Sequence, residues 1–188
     1  ADEFDELFGE LYIGKNPTRL RNRYPILKFD FSDVVPKGSI DIIEESFDIT
    51  VRNSIREFFA KYSSMFKKIS GLEYDFNEIL DGSGANILKK ILSELKIQKF
   101  SIYLLIDEYD NFANNILATH GKDSYYNLTH GTGFLRSFFA TIKANTNSNT
   151  IARMFVTGVS PLVMSDVTSG FNIDENISQV NKFNEMVG

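Results

Sequence analysis

Large apolar side chains first recur along the chain with a period of two. In Pro25-Ile-Leu-Lys-Phe-Asp-Phe31 apolar and polar residues alternate behind a proline, and the run stops at Ser32-Asp33, which predicts a strand. From Ile43 the period changes. Phe47, Val51, Ile55, Phe58, Phe59 and Tyr62 follow at steps of three and four with charges between them, predicting an amphipathic helix with an aromatic face. Gly82-Ser-Gly84 then precedes Ile87, Leu88, Ile91, Leu92 and Leu95, a second helix that runs out near Lys96. Ser101-Ile-Tyr-Leu-Leu-Ile106 is continuously apolar and ends abruptly in Asp107-Glu108, the pattern of a central parallel strand buried on both faces. Phe134, Leu135, Phe138, Phe139 and Ile142 mark a third helix. Ile151-Ala-Arg-Met-Phe-Val156 is a last strand, closed by Thr157-Gly158-Val159-Ser160-Pro161. Strand, helix, helix, strand, helix, strand is the alternation that a parallel α/β sheet demands, because each parallel crossover needs a covering element.

Composition narrows the class without choosing a function. The 188 residues are 43% hydrophobic and 24% charged, which suits one domain with an ample core and disfavours disordered or collagenous chains. With no cysteine and only two histidines, at 120 and 130, thiol nucleophiles, disulfides and Cys-type or His-rich metal sites are poor fits. A net charge of −5 gives no global attraction to nucleic acid or to an anionic membrane. The apolar runs are too short to span a bilayer and no signal peptide is recognisable, so a cytoplasmic globular domain without membrane partners is expected. The 17 Phe and 8 Tyr fall on the helix stripes, as core packing does, rather than forming a platform for stacked bases.

Ligands of such sheets sit outside the carboxyl ends of the strands, which draws attention to two strand ends. The first delivers Asp107 and Glu108 together to the rim. That is the arrangement NTP hydrolysis uses, one acid holding Mg²⁺ and its neighbour polarising the attacking water. Asp110, just before Asn111-Phe-Ala-Asn-Asn-Ile-Leu117, reads instead as a helix cap. The second end places Thr157 or Ser160 where a hydroxyl reaches the γ-phosphate or the attacking water. Ordinary turn chemistry explains that end equally well when it is taken alone.

A phosphate loop of the form Gly-x-x-x-x-Gly-Lys-Ser/Thr should accompany these acids. Gly9-Glu-Leu-Tyr-Ile-Gly14-Lys15-Asn16 comes near it but follows the acidic helical pattern Phe4-Asp-Glu-Leu-Phe8, lacks the hydroxyl residue and carries bulky side chains inside the loop. It reads as a decoy. His130-Gly131-Thr132-Gly133 reads as the loop leading into the third helix, and Glu94-Leu95-Lys96, a fragment of nuclease motifs, lies on a helical stripe. Arg19, Arg21 and Arg23 read as a solvated edge beside the first strand.

Several longer blocks resemble the bacterial AAA-ATPase-like proteins, in which a P-loop NTPase domain is typically followed by a restriction-endonuclease-like nuclease domain. They are Tyr12-Ile-Gly14-Lys-Asn-Pro17, Tyr24-Pro-Ile-Leu-Lys-Phe-Asp-Phe-Ser32, Leu104-Leu-Ile-Asp-Glu-Tyr-Asp110, Gly133-Phe-Leu-Arg136-Ser-Phe-Phe139, Thr157-Gly-Val-Ser-Pro-Leu162 and Thr168-Ser-Gly-Phe-Asn-Ile173. The resemblance implies a three-layer parallel-sheet P-loop NTPase fold of AAA/ASCE type, incomplete at both ends. Residues 1–188 would form one partial domain, with a Walker B strand over 101–108 and a sensor strand over 151–157. It further implies that Asp107 and Glu108 form the Walker B pair, with Mg²⁺ at Asp107 and catalysis by Glu108, and that Thr157 or Ser160 occupies the sensor position toward ATP. Arg136 is a further nucleotide-binding candidate, as an arginine finger toward a neighbouring subunit or, more simply, a salt bridge on a helix face. The family's Walker A loop would lie ahead of Ala1, its nuclease-like domain beyond Gly188. Residues 183–188 look like the opening of a further helix.

The sequence thus leads to an ATPase whose full-length form binds and hydrolyses Mg·ATP, with a homo-oligomer and, through the nuclease-like domain, nucleic acid as further partners. The rival expectation is a non-catalytic α/β interaction module with a degenerate nucleotide site. A nuclease activity would need a strand-borne acidic cluster, which this segment does not show.

Overall fold

The computed structural model describes residues 3–35, 37–70, 79–159, 166, 175–178, 180 and 181. Among them, three strands form one parallel sheet in chain order: β1 (Ile26–Asp30), β2 (Ile102–Asp107) and β3 (Ile151–Val156). Phe29 pairs with Ile106, and Ile106 with Val156, so the carboxyl ends of all three strands lie side by side. The sheet is α/β as the alternation predicts, with two helical crossovers. The first holds α3 (Ile40–Ser70) and α4 (Gly84–Ile97), the second α5 (Asn111–Thr129) and α6 (Phe134–Thr146).

Both crossovers move the chain one strand further in the same direction. Right-handed connections then lay every covering helix on one face of the sheet. Burial follows that geometry. Leu27, Phe29, Ile102, Leu104, Ile106 and Ile151 are buried beneath the helices, whereas Ile26, Arg153 and Phe155 on the opposite face are exposed and Tyr103 and Leu105 are half-buried. This corrects the expectation of a central strand buried on both faces: β2 is fully covered on one face only.

The core is aromatic where the strands leave the sheet. Phe47 of α3 packs its ring against Phe31, Phe112, Phe134 and Phe138, with centroids 5.0–5.6 Å apart, and Phe29 meets Phe138 edge-on at 5.2 Å. One side chain thereby joins β1's exit, α3, α5 and α6. A second aromatic group, Phe58, Phe59, Tyr62, Phe66 and Phe100, closes the other end of α3. The helix leaves helical dihedrals at Tyr62, whose hydroxyl accepts the backbone N–H of Ile26 at 3.0 Å, at the start of β1.

Two local features go beyond the sequence reading. At the start of the second helix the Asp48 carboxylate of α3 accepts the Gly84 N–H at 2.6 Å, while the side chain of Ser83, the residue before the helix, makes no capping bond. Burial pushes the Asp48 carboxyl above its ordinary range. In addition, α5 continues past Leu117 to Thr129 through a break at Gly121, whose φ of 81° and ψ of −177° are open in practice to glycine alone. Its apolar positions, Phe112, Ala113, Ile116, Tyr125 and Leu128, are too sparse to declare the whole element. Among the described residues no helix is long and apolar enough to cross a membrane.

Phe47→Ala removes the ring that four others share. It is expected to destabilise the protein by about 3–5 kcal/mol in urea unfolding monitored by circular dichroism. Phe155→Ala, on the open face, is expected to cost less than about 1 kcal/mol. Equal losses at the two positions would contradict the one-sided core.

Candidate functional site

The parity of the strands selects the polar side chains at the sheet's carboxyl edge. Because Leu27 and Phe29 point into the core, Lys28 and Asp30 share the open face. Because Leu104 and Ile106 point inward, Asp107 joins them. Asp30 and Asp107 are register partners on neighbouring strands. The Lys28 ammonium lies 3.0 Å from Asp30 Oδ2 and 3.7 Å from Asp107 Oδ2, bridging the two carboxylates. The Asp107 side chain is 45% exposed and that of Lys28 52%, so the group faces solvent.

Thr157 enters from the third strand. Its N–H donates to Ile106 O at 2.8 Å, one residue beyond β3, which sets its hydroxyl against Asp107 Oδ1 in a hydrogen bond. One carboxylate oxygen of Asp107 is therefore oriented by a hydroxyl and the other by an ammonium. Asp30 is fixed in turn by the Ser32 hydroxyl at 2.6 Å and the Ser32 N–H at 3.2 Å. These bonds and Lys28 hold the Asp30 carboxyl below its usual range. Lys28 is raised above its own, chiefly by its hydrogen bond to Asp30. An ion pair this exposed contributes only about 0–1 kcal/mol to stability, so its interest is positional.

Glu108 follows β2 with a φ of 54°, a left-handed backbone that a glutamate seldom adopts. Its carboxylate has no hydrogen-bond or ion-pair partner among the described residues. Strain at the exit of a strand, beside a half-exposed acid, is the kind of local cost that functional sites retain.

Asp110 is not the cap that the sequence suggests. It occupies the residue before α5, but its side chain makes no capping bond and is fully buried. Instead Oδ1 accepts the Val159 N–H at 3.0 Å and Oδ2 the Asn114 side-chain amide at 2.9 Å, while Tyr109 N–H donates to Thr157 O at 3.2 Å. This clamp ties the exit of β2 to the exit of β3. Gly158 belongs to it, because a Cβ there would overlap the Tyr109 ring and the Asp110 carboxylate.

The remaining candidates divide. Arg136 is on the first turn of α6 and donates to Gly131 O at 3.4 Å, within the loop before its own helix. None of its hydrogen bonds among the described residues reaches Asp107, Glu108 or Thr157. Ser160 and the block 168–173 lie outside the described residues, as do residues 183–188. The near-match at Gly9 to Asn16 follows helix α1 (Glu3–Phe8) and contains the short helix α2 (Tyr12–Lys15). The backbone N–H groups of Gly14, Lys15 and Asn16 donate to Leu11 O and Tyr12 O, so they are not turned outward as a phosphate cradle requires. Glu94 and Lys96 lie on α4, and no group of three metal-ligating side chains occurs among the described residues. Arg21 packs over the Phe4 ring at 3.6 Å, which makes it a staple for α1 rather than part of a solvated edge.

Sequence reasoning missed Lys28 and Asp30. The signal was present in the alternation itself, since both are polar positions of the first strand. Only the register, Asp30 opposite Asp107, makes them part of the site.

Asp110→Ala would strand the Val159 N–H and the Asn114 amide and is expected to cost about 1–3 kcal/mol. Asp107→Ala, at a half-exposed carboxylate, should cost less than about 1 kcal/mol. Urea unfolding of the two variants checks the order. A larger loss at Asp107 would mean that the structural and functional roles of the two acids are reversed.

No curated protein and no solved structure matches the chain. A family model described as "Predicted AAA-ATPase" matches residues 1–168, a span that holds all three strands, the Asp107–Thr157 contact and the Asp110 clamp. The chain belongs to the AAA-ATPase-like family.

Proposed function

We propose that this chain is the Walker B half of an ATPase, in which Asp107 holds the Mg²⁺ of Mg·ATP and Glu108 polarises the attacking water. The observation that carries the reading is the Asp107–Thr157 contact at the carboxyl edge of a parallel sheet, with Glu108 the next residue along. Membership of an ATPase-like family supports nucleotide and Mg²⁺ use in general terms.

The donor set suits the ion. Mg²⁺ keeps several waters and takes one or two carboxylates together with the substrate's phosphates, and Asp107 offers a single half-exposed carboxylate oriented by Thr157. Bound there, the metal would neutralise charge building up on the phosphates. Thr157 orients the Asp107 carboxylate and, in this reading, is the sensor hydroxyl that would reach the γ-phosphate or the attacking water. Ser160, and Arg136 as a finger acting on a neighbouring subunit, remain further nucleotide contacts of this proposal. The chain would be a partial NTPase domain over residues 1–188, of three-layer P-loop type, acting in the cytoplasm and, in full-length form, in a homo-oligomer or with nucleic acid.

Residues 1–188 contain no Gly-Lys-Ser/Thr loop, and the Gly14 to Asn16 amides are already engaged. The main phosphate contacts are thus missing from this segment. The 188 residues alone are expected to bind Mg·ATP weakly and not to turn it over, whereas the full-length protein hydrolyses it.

Equilibrium dialysis of the full-length protein with Mg·ATP tests the reading. Binding that disappears in Asp107→Ala is expected, as is hydrolysis lost by at least about a hundredfold in Glu108→Gln with binding retained. No binding by the wild-type protein would favour the interaction module.

A further inference from the structure

We propose that Lys28 is the resident counter-ion of the Asp107 carboxylate, a tethered cation that holds the metal position against free divalent ions until nucleotide arrives. The inference rests on the reading of Asp107 as the metal-holding carboxylate. It concerns a residue that the strand alternation makes polar and the register places at the site.

Two carboxylates, Asp30 and Asp107, sit opposite each other on adjacent strands. Without a cation between them they would repel. The Lys28 ammonium supplies that cation, 3.0 Å from one and 3.7 Å from the other. The oxygen it faces on Asp107 is Oδ2, the one not held by Thr157. A divalent ion approaching this carboxylate therefore meets a positive charge already in place. The geometry is unequal in a useful way. The ammonium is closer to Asp30, which Ser32 fixes, than to Asp107, so it can swing away from Asp107 on its flexible stem without leaving its first partner. Phosphate oxygens entering with the metal would offer the ammonium a new acceptor in exchange. Free metal offers it nothing. Lys28 thus favours the metal–nucleotide complex over the bare ion.

The probe is Mn²⁺ alone, titrated into the 188-residue chain and followed by electron paramagnetic resonance of the free ion. Lys28→Met is expected to tighten Mn²⁺ binding by up to about thirtyfold at low ionic strength, the effect of removing one unit charge about 4 Å from a divalent ion in a water-like medium. Lys28→Arg keeps the charge and should leave the wild-type value. Asp107→Asn should weaken binding in either background. Lys28 is half-exposed and is not among the buried core residues, so Lys28→Met is expected to leave the fold intact.

The outcomes separate the two ideas. If Lys28→Met leaves Mn²⁺ affinity unchanged while Asp107→Asn abolishes it, Lys28 is a surface ion pair only and this inference fails while the metal assignment stands. If Lys28→Arg tightens binding as much as Lys28→Met, charge is not the cause and the inference also fails. If Asp107→Asn has no effect, the metal assignment itself is wrong.

Discussion

Everything at the candidate site depends on the one-sided burial of the sheet. Two same-direction crossovers place α3 to α6 on a single face, and the side chains of β1 and β2 that point there are all large and apolar. The pleat leaves no choice for their neighbours. Lys28, Asp30 and Asp107 must face the other way, and parallel register brings their strand ends level. A shift of one residue in either strand would send a charge into the aromatic core around Phe47, where an uncompensated carboxylate is far too costly to bury. The core therefore specifies the position of the acids even though none of them touches it.

A second layer of precision comes from the exits of β2 and β3. Asp110, buried, accepts from Val159 and Asn114, and Gly158 gives the room for that approach. The clamp fixes where Thr157 stands, and Thr157 orients Asp107. Two aspartates three residues apart thus have opposite characters. Asp110 is enclosed and structural, whereas Asp107 is half-exposed and turned toward solvent, with Glu108, left-handed in its backbone and without a partner among the described residues, between them. Under the proposed function that contrast has a chemical meaning, since a metal-holding acid must be reachable and a scaffold acid need not be.

Much of the fold could be read from the chain because its periodicities are strong. The three strands and the helices carrying the Phe47, Leu88 and Phe138 stripes appear where the apolar spacing puts them, although α3 continues past the break at Tyr62, where the stripe ends, to Ser70. The second half of α5 was hidden, since its polar sequence and the break at Gly121 dilute the helical pattern. The role of Asp110 was hidden for another reason. Its acceptor bonds reach Val159, 49 residues away, and no local pattern encodes such a contact. The same holds for Lys28 and Asp30, which alternation marks as polar and only tertiary register assigns to Asp107. Apolar runs at β2 also overstated burial, because they report strand identity and not which faces receive helices.

The central claim is that nucleotide-bound metal sits at Asp107, at the carboxyl edge of the sheet. A rival location exists at the other end, a cleft of about 540 Å³ lined by residues that include Arg21, Tyr24, Tyr103 and Arg153. Tyr103 and Asp107 are four residues apart along β2, about 13 Å. Paramagnetic broadening of amide resonances by Mn·ATP, which registers weak binding, distinguishes the two ends in the 188-residue chain. With the metal at Asp107, the signals of Asp30, Asp107, Glu108 and Thr157 broaden first and those of Tyr103 and Arg153 later. Broadening centred on Tyr103 and Arg153, with Asp107 and Thr157 untouched, would contradict it.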